Sequence, residues 1–403
     1  MDKRMKVLVM GGGGKMGSIA VRDLVENTQI SEIVVADLNV DKVKELVKEE
    51  ASKRKDKEIS AVYGNITDLS STAKLAKDAT VFLNTTPITT ETGRQNALPG
   101  MKIALESGAN WVDICSTYEF TLKQLELDDE FKEKYLTAVL GAGSAPGITN
   151  VIVRWAVDRL DEVESIQNSF GGRDFTEKTG PIRFPYSPQA VIEQYTDPKI
   201  KRLKDGKIIE FPALSDAEMV DFPEPIGRVE CVSIRHPEAA TYPRYFGKKG
   251  LKNLSVKLAY PKELVEKLKF LIDTGLASKE SIDIRGTKVV PYDVVLAVLA
   301  KLPVTRGEPR DYGIWQIVVK GKKSGENIEY TLFLPSQSYA PWHCGSSALR
   351  TGVCASIVTE MLCIGDISEK GVFAPEGCVP PEKFFQELSK RGLQVSAIQK
   401  IIL

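Results

Sequence analysis

The chain has 403 residues, with 54 Lys plus Arg balanced by 54 Asp plus Glu; this excludes a strongly basic or acidic surface that would steer it to nucleic acid or anionic lipid, and the length favours two domains over one. Six scattered cysteines (115, 231, 344, 354, 363 and 378) with no C-x-x-C, and only two histidines, exclude a disulfide framework, and no metal site is expected. No apolar run reads as a membrane span and the N-terminus leads into glycines rather than a signal-peptide core, so a cytoplasmic protein with a small-molecule partner, and no nucleic-acid or membrane partner, is expected.

Residues 5–10 predict a short buried strand, and Met16, Ile19, Ala20 and Leu24 recur at helical spacing, so the four glycines between them form a strand-to-helix turn. Within it, Gly12-x-Gly14-x-x-Gly17 has dinucleotide spacing. One glycine makes the tight turn, the second lets backbone approach a pyrophosphate, and the third lets the helix sit close to the strand. The pyrophosphate then meets the unpaired N–H groups of the helix N-terminus, with Lys15 and Met16 as further cofactor contacts. A phosphate loop of the G-x-x-x-x-G-K-S/T type is excluded, because Met16 stands where Ser or Thr is needed and Val9 where the first glycine belongs.

A second strand, "EIVVADLN", follows about 20 residues later and ends in Asp37. A carboxylate there accepts ribose hydroxyls and repels a 2′-phosphate, so NAD is expected over NADP, with Lys42 and Lys44 as the only nearby groups suited to a phosphate. Alternation continues through helix 40–57, strands 59–63 and 79–84, helix 92–107, strand 111–114, helix 128–135 and strand 138–141. This predicts an α/β fold with a doubly wound parallel sheet, whose ligands sit beyond the carboxyl ends of the strands. Three such ends supply candidates: Asn84, Thr85 and Pro87 in "NTTP", Asp113 and Ser116 in "VDICST", and Pro146 in "GAGSAPGITN". Turn chemistry explains Asn84 and Thr85 equally well.

From about residue 162 the chain becomes rich in glycine, proline and aromatics, then alternates in strand fashion. Strands 257–259, 281–285, 313–320 and 328–334, with helices 262–274 and 292–301, predict a second α/β domain around a largely antiparallel open sheet. The tail from Gly345 holds small and apolar residues in one helical segment that must be packed on both sides. The expected organisation is a first domain of residues 1–150 completed by 345–403, and a substrate and dimerisation domain of residues 151–344.

The stretches "VLVMGGGGKMGSIAVRDLV", "VVADLN", "WVDI", "APGITN", "SPQAVIEQYTDP", "YDVVLAVL" and "KGVFAPEGCVPPEKFFQELSKRG" resemble the saccharopine dehydrogenase family, and most closely its lysine 6-dehydrogenase type. The resemblance implies a Rossmann domain, a second domain carrying substrate and dimer contacts, a homodimer, and an NAD(P)-dependent dehydrogenase acting on CH–NH or CH–NH2 donors of an amino acid. Ser116-Thr117-Tyr118 departs from the Gly-Gly-His-like run of lysine 6-dehydrogenases, and Arg173-Asp174 from the apolar residue and proline that often follow the paired glycines. The substrate is therefore open among lysine, saccharopine and a carboxy-polyamine, and a non-catalytic NAD-binding redox sensor is the alternative of a different class.

Oxidising an amine with NAD removes hydride from the carbon bearing nitrogen and needs a base for a proton. Asp113 is the first candidate and His236 the second, with Tyr118, Glu119 and Tyr186 in reserve. A substrate carboxylate calls for a planar arginine grip, for which Arg244, Arg235 and Arg173 are the candidates, with Tyr186 as a further substrate contact. Asp174 or Glu177 would hold a distal ammonium in a lysine-like substrate.

Overall fold

Short runs of aliphatic residues bounded by turns give the strands β1 (Lys6–Met10), β2 (Glu32–Asp37), β3 (Glu58–Tyr63), β4 (Val81–Asn84), β5 (Asn110–Asp113) and β6 (Thr137–Val139). They are followed by β7 (Glu162–Asp174), β8 (Ile200–Lys204), β9 (Lys207–Phe211), β10 (Glu218–Asp221), β11 (Arg228–Ser233) and β12 (Asn253–Leu258). The last are β13 (Ile282–Ile284), β14 (Thr287–Val289), β15 (Asp311–Lys323), β16 (Glu326–Gln337), β17 (Gly371–Phe373) and β18 (Ser396–Ile402). The structure is a computed structural model that describes residues 5–87, 91–114, 117–177, 182, 184, 187–196, 199–302 and 307–402, with residues 91–97 described by backbone alone.

The first sheet has the order β17-β6-β5-β4-β1-β2-β3, and every pairing in it is parallel. Because β1 lies between β2 and β4, the strand order reverses there, and a crevice opens at the carboxyl ends of β1 and β4. The pleat of β1 sends Val7 and Val9 into one core and Leu8 and Met10 into another, so both faces are covered by helices. Burying each such aliphatic side chain contributes about 1.5–3 kcal/mol.

The second sheet has the order β10-β11-β12-β7-β15-β16-β18. It differs from the antiparallel expectation at β12, which runs parallel to β7. A long crossover joins these two strands, so no hairpin forces them to be antiparallel. The expected strand 281–285 lies outside this sheet, as β13 pairs only with β14 in an exposed hairpin. Several helices went unanticipated, among them Leu69–Ala76, Tyr118–Leu125, Pro188–Thr196, Glu238–Phe246 and Pro381–Lys390. The first reads as a polar loop, "LSST", but Asp68 caps it by accepting the Ser71 amide at 3.1 Å.

The helix Ser346–Ile364 is buried along nearly its whole length and joins the two halves. Its Ala348, Leu349, Val353 and Ile357 share one core with Ile19 and Leu24 of the first domain and with Ile317 and Leu332 of the second sheet. At Gly352 it meets the helix Gly17–Asn27 so closely that a Cβ would lie 2.7 Å from the Ala20 amide nitrogen. This helix corrects the sequence expectation on membrane spans: it is long and apolar enough to cross one, yet 83% of its most apolar window is buried inside the protein. Beyond it the chain serves both sheets, with β17 joining the first and β18 the second.

Candidate active site

The chain leaves β1 through Gly11, at φ +83°, and its amide bonds to Ala36 O at 2.7 Å. A Cβ on Gly12 would lie 2.3 Å from Val35 Cγ1, and one on Gly17 would lie 2.3 Å from Gly11 O and 2.5 Å from Thr85 Oγ1. These two glycines let the turn, helix and neighbouring strand close on one another. Gly14 differs: it is exposed, and a Cβ there would meet only Gly11 O, at 3.1 Å. Its open face, beside exposed Lys15 and half-buried Met16 at the start of the helix Gly17–Asn27, forms a cradle for an anion.

Asp37 ends β2 beside this loop. Its Oδ2 accepts the Gly13 amide at 2.9 Å and its Oδ1 accepts the Asn39 amide at 2.9 Å, leaving lone pairs on both oxygens. At the end of β4, Thr85 donates its hydroxyl to Met10 O at 2.8 Å and so packs the loop. Asn84 accepts the amide and the hydroxyl of Thr86 at 3.1 and 2.7 Å, while its own Nδ2 is buried with no hydrogen-bond partner among the described residues. An unsatisfied buried donor at the strand reversal fits a polar ligand atom. Pro87 is exposed at the rim. The residues present thus fit a dinucleotide.

Asp113 is fully buried at the end of β5. Its Oδ2 accepts Trp111 Nε1 at 3.0 Å and Gln124 Nε2 at 2.7 Å, and its Oδ1 accepts the Gly141 amide at 2.7 Å. Burial pushes its pKa up to about 6 against these three donors. The carboxylate therefore fixes the loop after β6 and faces no open space. Pro146 is buried inside that loop, where its carbonyl accepts the Gly143 amide at 2.9 Å. Ser116 and Tyr186 lie outside the described residues.

Apart from Arg235 and His236, which are adjacent in the loop after β11, the second-domain candidates lie on different elements. His236 Nδ1 contacts the wholly buried Glu238, and its ring lines a small cavity with Ile200, Arg202, Phe211 and Ser233. Arg235 lies 3.4 Å from Glu193. Arg173 donates to Ile226 O at 3.1 Å. Arg244 is about half exposed and lies 3.9 Å from Asp128, on an outer helix of the first domain. Of the reserves, Glu119 pairs with Lys201 at 2.6 Å, and the Lys201 ammonium lies 4.7 Å from the centre of the Tyr118 ring.

A buried residue that joins the two sheets is Arg350, which sequence reasoning missed. It is 2% exposed, in the helix Ser346–Ile364. Its Nε donates to Ser144 Oγ at 2.9 Å, its Nη1 to Ser336 Oγ, and its guanidinium lies 5.0 Å from the centre of the Phe170 ring. Trp315 Nε1 donates to the same Ser144 Oγ at 3.1 Å. Among the described residues no carboxylate lies within 4 Å of Arg350; the nearby Asp311 accepts the amide and hydroxyl of Ser346 instead. Burial lowers the Arg350 pKa to about 10. The signal was present: Arg350 is the one charge between His343 and Glu360, in a helix too apolar to be a surface one.

Residues 7–139 match the family model described as the saccharopine dehydrogenase NADP binding domain, and residues 143–393 match the saccharopine dehydrogenase C-terminal domain. A carboxyaminopropylagmatine dehydrogenase from Synechocystis sp. is 24% identical over 412 residues, covering 96% of each chain. A carboxynorspermidine synthase from Vibrio cholerae is 23% identical over 414 residues, again covering 96% of each. Apo saccharopine dehydrogenase (L-Glu forming) from Saccharomyces cerevisiae shares the fold, with a TM-score of 0.72 at 17% identity over 99% of this chain and 100% of that one. With a glycine cradle at the strand reversal and both family domains matched in order, the chain belongs to the saccharopine dehydrogenase family.

Proposed function

We propose that this protein is a nicotinamide-dependent dehydrogenase that forms or oxidises the secondary C–N bond of a carboxyalkyl amine, with NAD(H) preferred over NADP(H). The observation that carries the reading is the open face at Gly14 beside Asp37, at the carboxyl ends of the paired strands β1 and β4 where the strand order reverses. The names of the two relatives that match along 96% of the chain, both carboxylated amines, support this substrate class over the terminal amine of free lysine, which the sequence resemblance favoured. Although the matched family model is described as NADP binding, the carboxylate of Asp37 favours ribose hydroxyls over a 2′-phosphate, and exposed Lys44 is paired with Asp41 at 3.1 Å.

When bound, the nicotinamide supplies the hydride acceptor or donor. The chain's residues supply position. Backbone N–H groups at the start of the helix Gly17–Asn27 would hold the pyrophosphate, Asp37 would accept ribose hydroxyls, and Asn84 Nδ2, which has no partner among the described residues, would offer a further donor in the crevice. The helix Ser346–Ile364 packs the second sheet against the first domain in one shared core. We assign the homodimer to the open edge of the second sheet at β18, whose seven residues are all exposed.

The test is NADH consumption by purified protein given a carboxylate-bearing aldehyde together with a diamine or agmatine. Turnover that requires both carbon partners supports the reading. Turnover with ammonia in place of the amine, or NADH formation from lysine and NAD, points instead to the lysine 6-dehydrogenase reaction. Tight NADH binding without turnover across the panel supports a redox-sensing binder. Gly17→Ala, whose methyl group would meet Gly11 O at 2.3 Å, is expected to lose cofactor binding in every case.

A further inference from the structure

We propose that Arg350 and Ser144 form the carboxylate-binding subsite of this protein, buried where the loop after β6 meets β15 and β16. The proposal deepens the reading above and rests on it for the identity of the substrate class. The argument begins with an unbalanced charge. A guanidinium that is 2% exposed and lacks a carboxylate within ion-pair distance among the described residues is costly, because its desolvation is offset only by hydroxyl acceptors, the Phe170 ring and the more distant charge of Asp311. Arginine stays protonated even with burial lowering its pKa to about 10. A guanidinium carries five N–H donors, and those beyond the bonds to Ser144 and Ser336 meet no acceptor among the described residues.

Ser144 completes the site. Its oxygen already accepts two donors, Arg350 Nε at 2.9 Å and Trp315 Nε1 at 3.1 Å, so its own O–H is free to donate, and no described residue takes that bond. Ser144 is also partly exposed, unlike Arg350, and it lies in the loop that follows β6 of the first sheet. One carboxylate would satisfy both groups, one oxygen on the Ser144 hydroxyl and the guanidinium donors shared with the other. Such a ligand neutralises the buried charge, and the Phe170 ring at 5.0 Å and the Asp113-anchored loop fix where it sits. The three arginines favoured by the sequence lack this combination, since each already meets an acceptor on another element.

The experiment follows Trp315 fluorescence as succinate is titrated into the whole protein, with Trp315→Phe identifying the reporting indole. The expected result is a saturable change that is lost in Arg350→Met, while NADH affinity and melting temperature are retained, since a methionine removes an unpaired buried charge without leaving a large void. Arg350→Lys keeps the charge but not the planar grip, and is expected to weaken succinate by about 10- to 100-fold. It also carries the test if the methionine variant fails to fold. With turnover in hand, the same variants raise KM for the carboxylate-bearing substrate and leave kcat little changed. Undiminished succinate binding in Arg350→Lys and Arg350→Met, or no binding by the parent protein, overturns the subsite. So does a fall in melting temperature together with NADH affinity in Arg350→Lys, which marks Arg350 as a structural pin. If succinate binds but no amine turns over, the proposed function fails while the subsite stands.

Discussion

The Asp37 carboxylate and the Gly13 amide are joined at 2.9 Å, so the acid proposed to choose between the two cofactors also holds the glycine loop. Each carboxylate oxygen spends one lone pair on the backbone and keeps another for a ribose hydroxyl. A 2′-phosphate brought to the same place meets a fixed negative charge. The protein is therefore expected to use NADH with a higher kcat/KM than NADPH, and Asp37→Ser is expected to shrink that preference by about 10- to 100-fold, equivalent to about 1.4–2.8 kcal/mol. Measuring kcat/KM for both cofactors decides it. A parent enzyme that prefers NADPH would overturn the reading of Asp37 and move the phosphate to Lys42 or Lys44.

Asp113 leads to a prediction about pH. Burial raises its pKa to about 6, so the native state holds this proton more tightly than the unfolded chain does. Its contribution to stability is thus fully present below the ordinary carboxyl range near 4 and is lost as pH rises through 6. Urea denaturation of the parent protein should show this fall, and Asp113→Asn, which has no proton to lose, should show a shallower one. The same variant separates positioning from proton transfer. Losing a general base costs about 100- to 10,000-fold, whereas a residue that only holds the Gly141 loop should cost about tenfold and leave the pH profile of kcat in place. An unchanged stability profile in the variant, or a shifted kcat profile, would count against the positioning role.

Both outcomes reflect what a sequence can carry. The Gly12-x-Gly14-x-x-Gly17 spacing and the acid at Asp37 are local, so strand, turn, helix and their closeness were legible in one window. The parallel first sheet followed from alternation along the chain. Features that depend on distant partners were not legible. Asp113 sits at a strand end as expected, but its three donors come from Trp111, Gln124 and Gly141, which only the folded chain places around it. The basic loop residues Arg235 and Arg244 suggested one cleft, yet Glu193 and Asp128 draw them to different surfaces. Arg350 reaches Ser144 across 206 positions of sequence, a contact no local spacing encodes.

The same long-range logic fixes the helix that carries Arg350. At its far end, Arg391 Nε donates to both oxygens of Asp23, at 3.0 and 2.9 Å, with the two side chains 3% and 0% exposed. Glu360 of the helix lies 3.7 Å from Arg391 and accepts the Gln29 amide at 2.9 Å. Burial alone raises the Asp23 pKa, and the Arg391 charge acts against that rise. Removing one partner leaves the other buried and unpaired, so Arg391→Met is expected to destabilise the protein by about 3–5 kcal/mol. Because an apolar pair also fits a dry interior, the double variant Asp23→Leu/Arg391→Met should recover part of that loss, the remainder coming from the Glu360 and Glu387 carboxylates left without Arg391. Urea denaturation of the two single variants and the double gives the coupling directly. Additive losses would mean the pair does not act as a unit. Strong coupling, accompanied by weaker NADH binding in the single variants alone, would mean that this buried pair sets the seat of the helix against the glycine loop.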